Sequence, residues 1–123
     1  MSPMSRYRGW MPTRMLRDGA IRPTEHARWS GVERLFARHE RDRRIMADLL
    51  ATIPHRGLDR PVLLGVDDRS HEVYVSDGHH RALALKQLEV ARFRFEWCWL
   101  RAHRVEVGRL PFPYHLLGLD PPA

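Results

Sequence analysis

The stretch Val75-Ser76-Asp77-Gly78-His79-His80-Arg81 brings a carboxylate, a glycine, two imidazoles and a guanidinium together. It reads as the end of a strand, a tight polar turn and the first turn of a helix. At such a junction backbone N–H groups stand unpaired and the helix dipole is positive, so phosphate or carboxylate is favoured. Gly78 permits positive φ and lets a ligand approach without a Cβ in the way. Arg81 offers a planar fork suited to two phosphate oxygens. His79 and His80 are candidate donors to the same anion. Asp77 has two readings: an N-cap for the helix, or a Mg²⁺ ligand and general base. Zinc is disfavoured, because adjacent histidines rarely face one metal and no ligand set with zinc spacing lies nearby. By residue type alone, an anion site and a capped turn with exposed histidines both stand.

The elements around this turn follow from hydrophobic periodicity. Upstream, Pro61-Val62-Leu63-Leu64-Gly65-Val66 is short, apolar and β-prone, as in a strand buried on both faces. The turn Asp67-Asp68-Arg69-Ser70 and the alternating run from Glu72 to Ser76 predict an antiparallel hairpin. A helix is predicted from about His80 to Leu88. The alternation of Phe93, Phe95, Trp97 and Trp99 with Arg92, Arg94, Glu96 and Cys98 predicts a strand with one aromatic face. That face is assigned to the core; the rival reading is an exposed ladder that stacks on bases. Ser30 and Glu33 have the spacing of a capping box. The apolar positions 32, 35, 36, 46, 49, 50 and 53 fit either one long helix or two, ended by Pro54. The charged run between them, residues 38–44, is expected to be solvated. The predicted class is α+β, a small mixed sheet flanked by helices, arranged as a basic arm with a short extended segment (1–23), a domain (24–110) and an irregular tail (111–123).

The chain of 123 residues carries a net charge of +6, almost all of it from arginine, with Lys86 the one lysine. Basicity of this kind permits a polyanionic partner such as DNA without identifying one. Arg6, Arg8, Arg14, Arg17 and Arg22 are accordingly either a solvated arm or contacts to nucleic-acid phosphates. No apolar run is long enough to span a membrane, and residues 1–22 lack the apolar core of a secretory signal. Cys98 is the one cysteine, so an intramolecular disulfide is excluded and a cytoplasmic location is expected.

The order of elements, with Asp77-Gly78-His79-His80-Arg81 opening the helix, resembles the ParB/sulfiredoxin-like superfamily over residues 41–99. The resemblance implies that Gly78 and Arg81 are the glycine and arginine of the Gly-x-x-Arg turn that grips nucleotide phosphates. It implies a nucleotide cofactor, CTP, ATP or ADP, bound with Mg²⁺ near Asp77. Sulfiredoxins have a nucleophilic cysteine in this turn where the present chain has His79, which argues against sulfinic-acid reduction. Partition ParB proteins carry Gly-Glu-Arg-Arg, bind CTP and continue into a helix-turn-helix domain. This chain is expected to end near the start of that domain. The turn is closest to the Asp-Gly-His-Thr-Arg of archaeal-type free serine kinases, whose acidic residues assist phosphoryl transfer. Asp77 maps onto that pattern, and Glu25 and Glu33 lie upstream without a match. The expected function is a stand-alone ParB-like nucleotide- or phosphate-binding domain, with NTP hydrolysis or phosphoryl transfer as its enzymatic form. A non-enzymatic DNA-binding accessory protein of the partition type is the alternative. A nuclease ranks third, since the sequence shows no second carboxylate of a two-metal site.

Overall fold

The computed structural model describes residues 5–102 and 104–122. The first residues of the expected loose tail, 1–4, lie outside them. The described chain runs β1 (Gly9–Pro12), a 3₁₀ turn (Thr13–Met15), β2 (Ile21–Pro23), α1 (Trp29–Arg38) and α2 (Glu40–Arg56). It continues through β3 (Val62–Asp67), β4 (Val73–Asp77), α3 (His79–Leu88), β5 (Arg92–Arg101) and β6 (Arg104–Val107) to a last 3₁₀ turn (Tyr114–Leu117). The strands form one six-stranded mixed sheet in the order β1-β5-β3-β4-β2, with β6 also on β5. β3 and β4 are the expected antiparallel hairpin, β3 runs parallel to β5, and β2 runs parallel to β4. The α+β class and the small mixed sheet are therefore as the periodicity predicts.

Cross-strand register decides which side chains share a face. Val62, Leu64 and Val66 stand beside Phe95, Trp97 and Trp99, and Val75 stands beside Leu64. This face forms a single core with Ala82, Leu83 and Leu85 of α3 and with Phe36, Met46 and Ile53 of α1 and α2. Phe93, Phe95 and Trp97 are buried there, so the aromatic ladder is core rather than an exposed stacking platform. Phe112 meets Phe95 edge-on, with ring centroids 5.2 Å apart, and Trp97 at 5.7 Å. The residues after Pro111 are thereby anchored on the same core. The other face of the sheet carries Trp10, Arg92, Arg94 and Glu96.

Several local expectations are corrected. Of the one-helix and two-helix alternatives the chain adopts the second, dividing at His39, whose extended backbone (φ −102°, ψ 131°) breaks the hydrogen-bond ladder. Ser30 lies inside α1 and caps nothing; the Trp29 N–H donates instead to Oδ1 of Asp18 at 2.7 Å, a cap supplied from eleven residues upstream of the first helical residue. Pro54 sits within α2, which continues to Arg56 because the Gly57 N–H closes on the Ile53 carbonyl at 2.9 Å. The sheet also reaches past the expected boundary at residue 24. β1 pairs with β5 and β2 with β4, and Arg6 and Arg8 lie 3.6 and 3.1 Å from the Glu96 carboxylate.

Where β1 and β6 meet along β5, Gly108 donates to the Trp97 carbonyl at 2.9 Å and accepts from the Tyr7 N–H at 3.0 Å. A Cβ at this position would lie 2.3 to 2.5 Å from the Trp97 indole. Gly108→Ala must therefore push the indole off its packing partners. We expect a loss of about 1–3 kcal/mol, the usual range for overpacking a core. Urea unfolding should show a lower midpoint at unchanged slope, and an unaltered midpoint would contradict this packing.

Candidate functional site

The 77–81 turn opens onto a cleft of about 480 Å³, and all five of its residues line it. A volume in this range suits a small organic ligand. The far walls are the 24–28 segment, the apolar flank of α1 and α2 with Leu35, Phe36 and Leu49, and the 57–60 loop. Charge in the cleft is mixed: Glu25, Asp59 and Asp77 against Arg60 and Arg81.

Gly78 is the N-cap residue of α3, at φ 100° and ψ 36°, with no side-chain cap on the helix. The N-cap reading of Asp77 is thus corrected. The left-handed conformation that ends β4 and starts α3 in one step is available to glycine at little cost, and no side chain stands over the first-turn N–H groups. The Asp77 carboxylate points outward, 70% exposed, at 3.3 Å from Nη2 of Arg81. Among the described residues there is no group of three or more histidine, cysteine or acidic side chains placed to hold a metal. Mg²⁺ commonly takes one or two carboxylates and completes its shell with water and phosphate oxygens. Asp77 alone fits that pattern and does not make a site without a ligand.

Arg81 is the most constrained member. Its side chain is 13% exposed, and Nη1 donates to the carbonyls of Arg60 at 2.9 Å and Pro61 at 2.8 Å. With the contact to Asp77, three of its five N–H groups are engaged. The Nε–Cζ–Nη2 side lies against Gly78, 3.0 to 3.1 Å from where a Cβ would stand. That edge, beside the helix N-terminus, is what remains for an anion, so the fork expected from sequence is half committed to holding the 60–61 carbonyls.

The two histidines are fixed in different ways. Nε2 of His79 accepts the Thr24 N–H at 3.0 Å, which requires a neutral ring with its proton on Nδ1. Burial holds His79 below its ordinary value, against the opposing pull of Glu25; the neighbouring His80 adds to the lowering and Asp77 opposes it. His80 stacks flat on Phe36, with centroids 3.9 Å apart, and its Nε2 lies 2.8 Å from Oδ1 of Asp42. Asp42 belongs to the charge run expected to be solvated; packed between α2 and α3 it is half-buried and anchors this ring. Of the two upstream acids, Glu25 lines the cleft, whereas Glu33 does not and instead acts on Lys86. Asp59, Arg60 and His26 are cleft residues that no motif marked. Cys98 lies in β5, buried, its thiol pushed up by burial, and it is not among the residues lining the cleft.

The sign of the His79 effect follows from its lowered value. As pH falls through the ordinary 6.5, the unfolded chain takes up a proton that the folded chain resists. The stabilisation is complete above that pH and is lost below it. His79→Gln keeps an acceptor near the Nε2 position and removes the titration. Melting curves from pH 7.5 to about 5 should show wild type losing more stability than His79→Gln. Parallel losses would mean that His79 does not titrate as the geometry requires.

No family model matches the chain, and no curated protein matches it. Two solved structures are similar. Sulfiredoxin from Arabidopsis thaliana superposes with a TM-score of 0.51 at 19% identity, covering 77% of this chain and 88% of that one. A conserved hypothetical protein from Pyrococcus furiosus superposes with a TM-score of 0.50, also at 19% identity. That match covers 84% of this chain, which spans 36% of the Pyrococcus chain. At this level of identity the likeness concerns backbone arrangement, and in that respect the chain has the ParB/sulfiredoxin-like fold.

Proposed function

We propose that the chain is a nucleotide-binding domain whose cleft seats phosphates at the N-terminus of α3 and the base toward Leu35, Phe36 and Leu49. The observation that carries this reading is the uncapped first turn of α3, with the Nε–Nη2 side of Arg81 laid against Gly78, opening into a 480 Å³ cleft. Unpaired N–H groups, the helix dipole and a pre-positioned guanidinium all favour the same charge at the same place. The apolar wall suits a base, and the polar end suits its phosphates. CTP, ATP and ADP are the ligands in view. Asp77, exposed at the mouth, would supply one oxygen to a Mg²⁺ carried in on the phosphates. As the general base of an enzymatic form it would orient a water or acceptor hydroxyl. No observation favours the nuclease reading.

A ligand that binds the folded state alone stabilises it, by about 2.7 kcal/mol at a hundredfold excess over Kd. For a domain of this size that is a rise in Tm on the order of 10 °C. A panel of CTP, ATP, ADP and GTP, each with and without Mg²⁺, should give such a rise for one or more. Silence across the panel at millimolar nucleotide would sink the proposal. Gly78→Ala, which strains the turn and crowds the guanidinium, should abolish the nucleotide-induced increment measured against its own apo Tm. In Asp77→Asn the increment without Mg²⁺ should persist and the extra increment with Mg²⁺ should vanish. Phosphate release that survives Asp77→Asn would remove Asp77 from any catalytic role.

A further inference from the structure

We infer that the chain has a second anion site, for single-stranded nucleic acid, on the sheet face opposite the helices, built from Trp10 of β1 and Arg92 and Arg94 of β5. Its three residues lie outside the nucleotide cleft, which shares only the 57–59 loop with the adjoining groove, and the inference stands whether or not that reading holds. Among the described residues Trp10 is the large aromatic that stays exposed, at 39%, although its neighbours Gly9 and Met11 are buried. The cause is register. Trp10 pairs with Arg94, so strand alternation places it on the face away from the helices. There the Arg92 Cζ lies 4.3 Å and the Arg94 Cζ 4.7 Å from the indole centroid. Both arginines are exposed, and among the described residues neither has a carboxylate partner. This sets them apart from Arg6 and Arg8, which share Glu96, and from Arg22, which holds Glu72 at 2.9 Å.

The same three side chains border a groove of about 420 Å³ that passes from this face through the gap between β5 and the 57–61 loop to Ile53 of α2 and Leu85 of α3, with Leu58 and Phe93 also in its apolar lining. Asp59 is the one acid on its wall, opposed by Arg8, Arg92 and Arg94. An indole with two carboxylate-free guanidiniums lying over its ring, on an open sheet surface, offers what single strands use: a planar stack on which a base can pack once a guanidinium swings off the ring to a phosphate, and cations for the backbone. Arg92 and Arg94, two residues apart on one strand, project from the same face about 7 Å apart. That spacing is comparable to the reach between successive phosphates of an extended strand. A duplex keeps its bases stacked and cannot use the indole. An acidic peptide would meet the cations and leave the indole without a matching partner. The net charge of +6 adds long-range attraction that salt should screen.

The test is fluorescence anisotropy of the full chain with a labelled single strand of about 15 nucleotides, its duplex, and poly-glutamate of similar length, from about 50 to 200 mM salt. The single strand should bind with salt-dependent affinity and more tightly than the other two. Trp10→Ala should weaken it about tenfold, and Trp10→Phe should restore most of the loss. Replacing Arg92 and Arg94 together by glutamine should flatten the logarithmic salt slope by about 1.4, the release of counterions from two single-strand phosphates. Circular dichroism melts of these surface variants should stay near wild type, and any nucleotide-induced rise in Tm should persist in them. Absence of binding, or affinity and slope unchanged in the variants, overturns the site. Tighter duplex binding removes the single-strand assignment, and tighter poly-glutamate binding through the same residues assigns the surface to an acidic protein partner.

Discussion

The donation from Arg81 to the carbonyls of Arg60 and Pro61 is the contact on which the cleft depends. It ties the first turn of α3 to the chain entering β3, just beyond the Leu63–Asp77 pair at which the β3–β4 register ends. The N–H groups that this guanidinium turns away from water must be bonded, since an unmet charged donor there costs several kcal/mol. The bond in turn needs the guanidinium to fold back over residue 78, and a Cβ there would sit at 3.0 Å from Nη2. Glycine at 78 and arginine at 81 are therefore one structural unit. The same geometry that locks the loop leaves the free edge of the guanidinium beside the helix N-terminus.

The residues on either side of Gly78 and Arg81 extend this logic to the other walls. His79 takes the Thr24 N–H and so holds the segment after β2, while the Thr24 hydroxyl donates to the Val75 carbonyl. His80 reaches Asp42 of α2 and stacks on Phe36 of α1. Three consecutive residues in the first turn of α3 thus fix three different segments. Helix geometry makes this possible, because successive side chains project about 100° apart and each meets a different neighbour. The result is a pocket whose walls are set before any ligand arrives, which lowers the ordering cost of binding.

Much of this was legible in the sequence. Strict alternation from Phe93 to Trp99 marks β5, and the 61–66 run marks a buried strand. The five residues 77–81 carry their own turn chemistry. What was not legible involves partners distant in the chain. Asp42 sits in a run of charges whose spacing looks like any solvated helix face, and its burial follows only from the packing of α2 against α3. Glu25 and Asp59 occupy segments without periodicity, brought to the cleft by the strands beside them. The Asp18 cap of α1 lies across a strand from the helix it serves, beyond the reach of any local motif. Arginine at 81 was visible as a cation; that its first duty is to two carbonyls was not.

The fold is shared with sulfiredoxin, but the chemistry available to this cleft differs from that of a thiol enzyme. Where the resemblance expects a nucleophilic cysteine stands His79, whose Nε2 lone pair is occupied by a backbone N–H and whose ring is held neutral by burial. It can present Nδ1–H as a donor, and in that state it is neither a nucleophile nor a ready base. The chain's thiol, Cys98, lies in β5 with its proton held more firmly than usual. The groups that remain are carboxylates, imidazoles, a half-committed guanidinium and helix N–H groups. Such a set stabilises and orients negative charge without forming a covalent intermediate through sulfur. Under the proposed function such a set would serve phosphate recognition, and phosphoryl transfer too, where catalysis is chiefly positioning and charge neutralisation. Asp77 is the carboxylate whose exposure leaves it free to change partners: under the proposed function, a phosphate at the Arg81 edge would compete with it for Nη2, and the displaced carboxylate would be at hand for a cation carried on the phosphates.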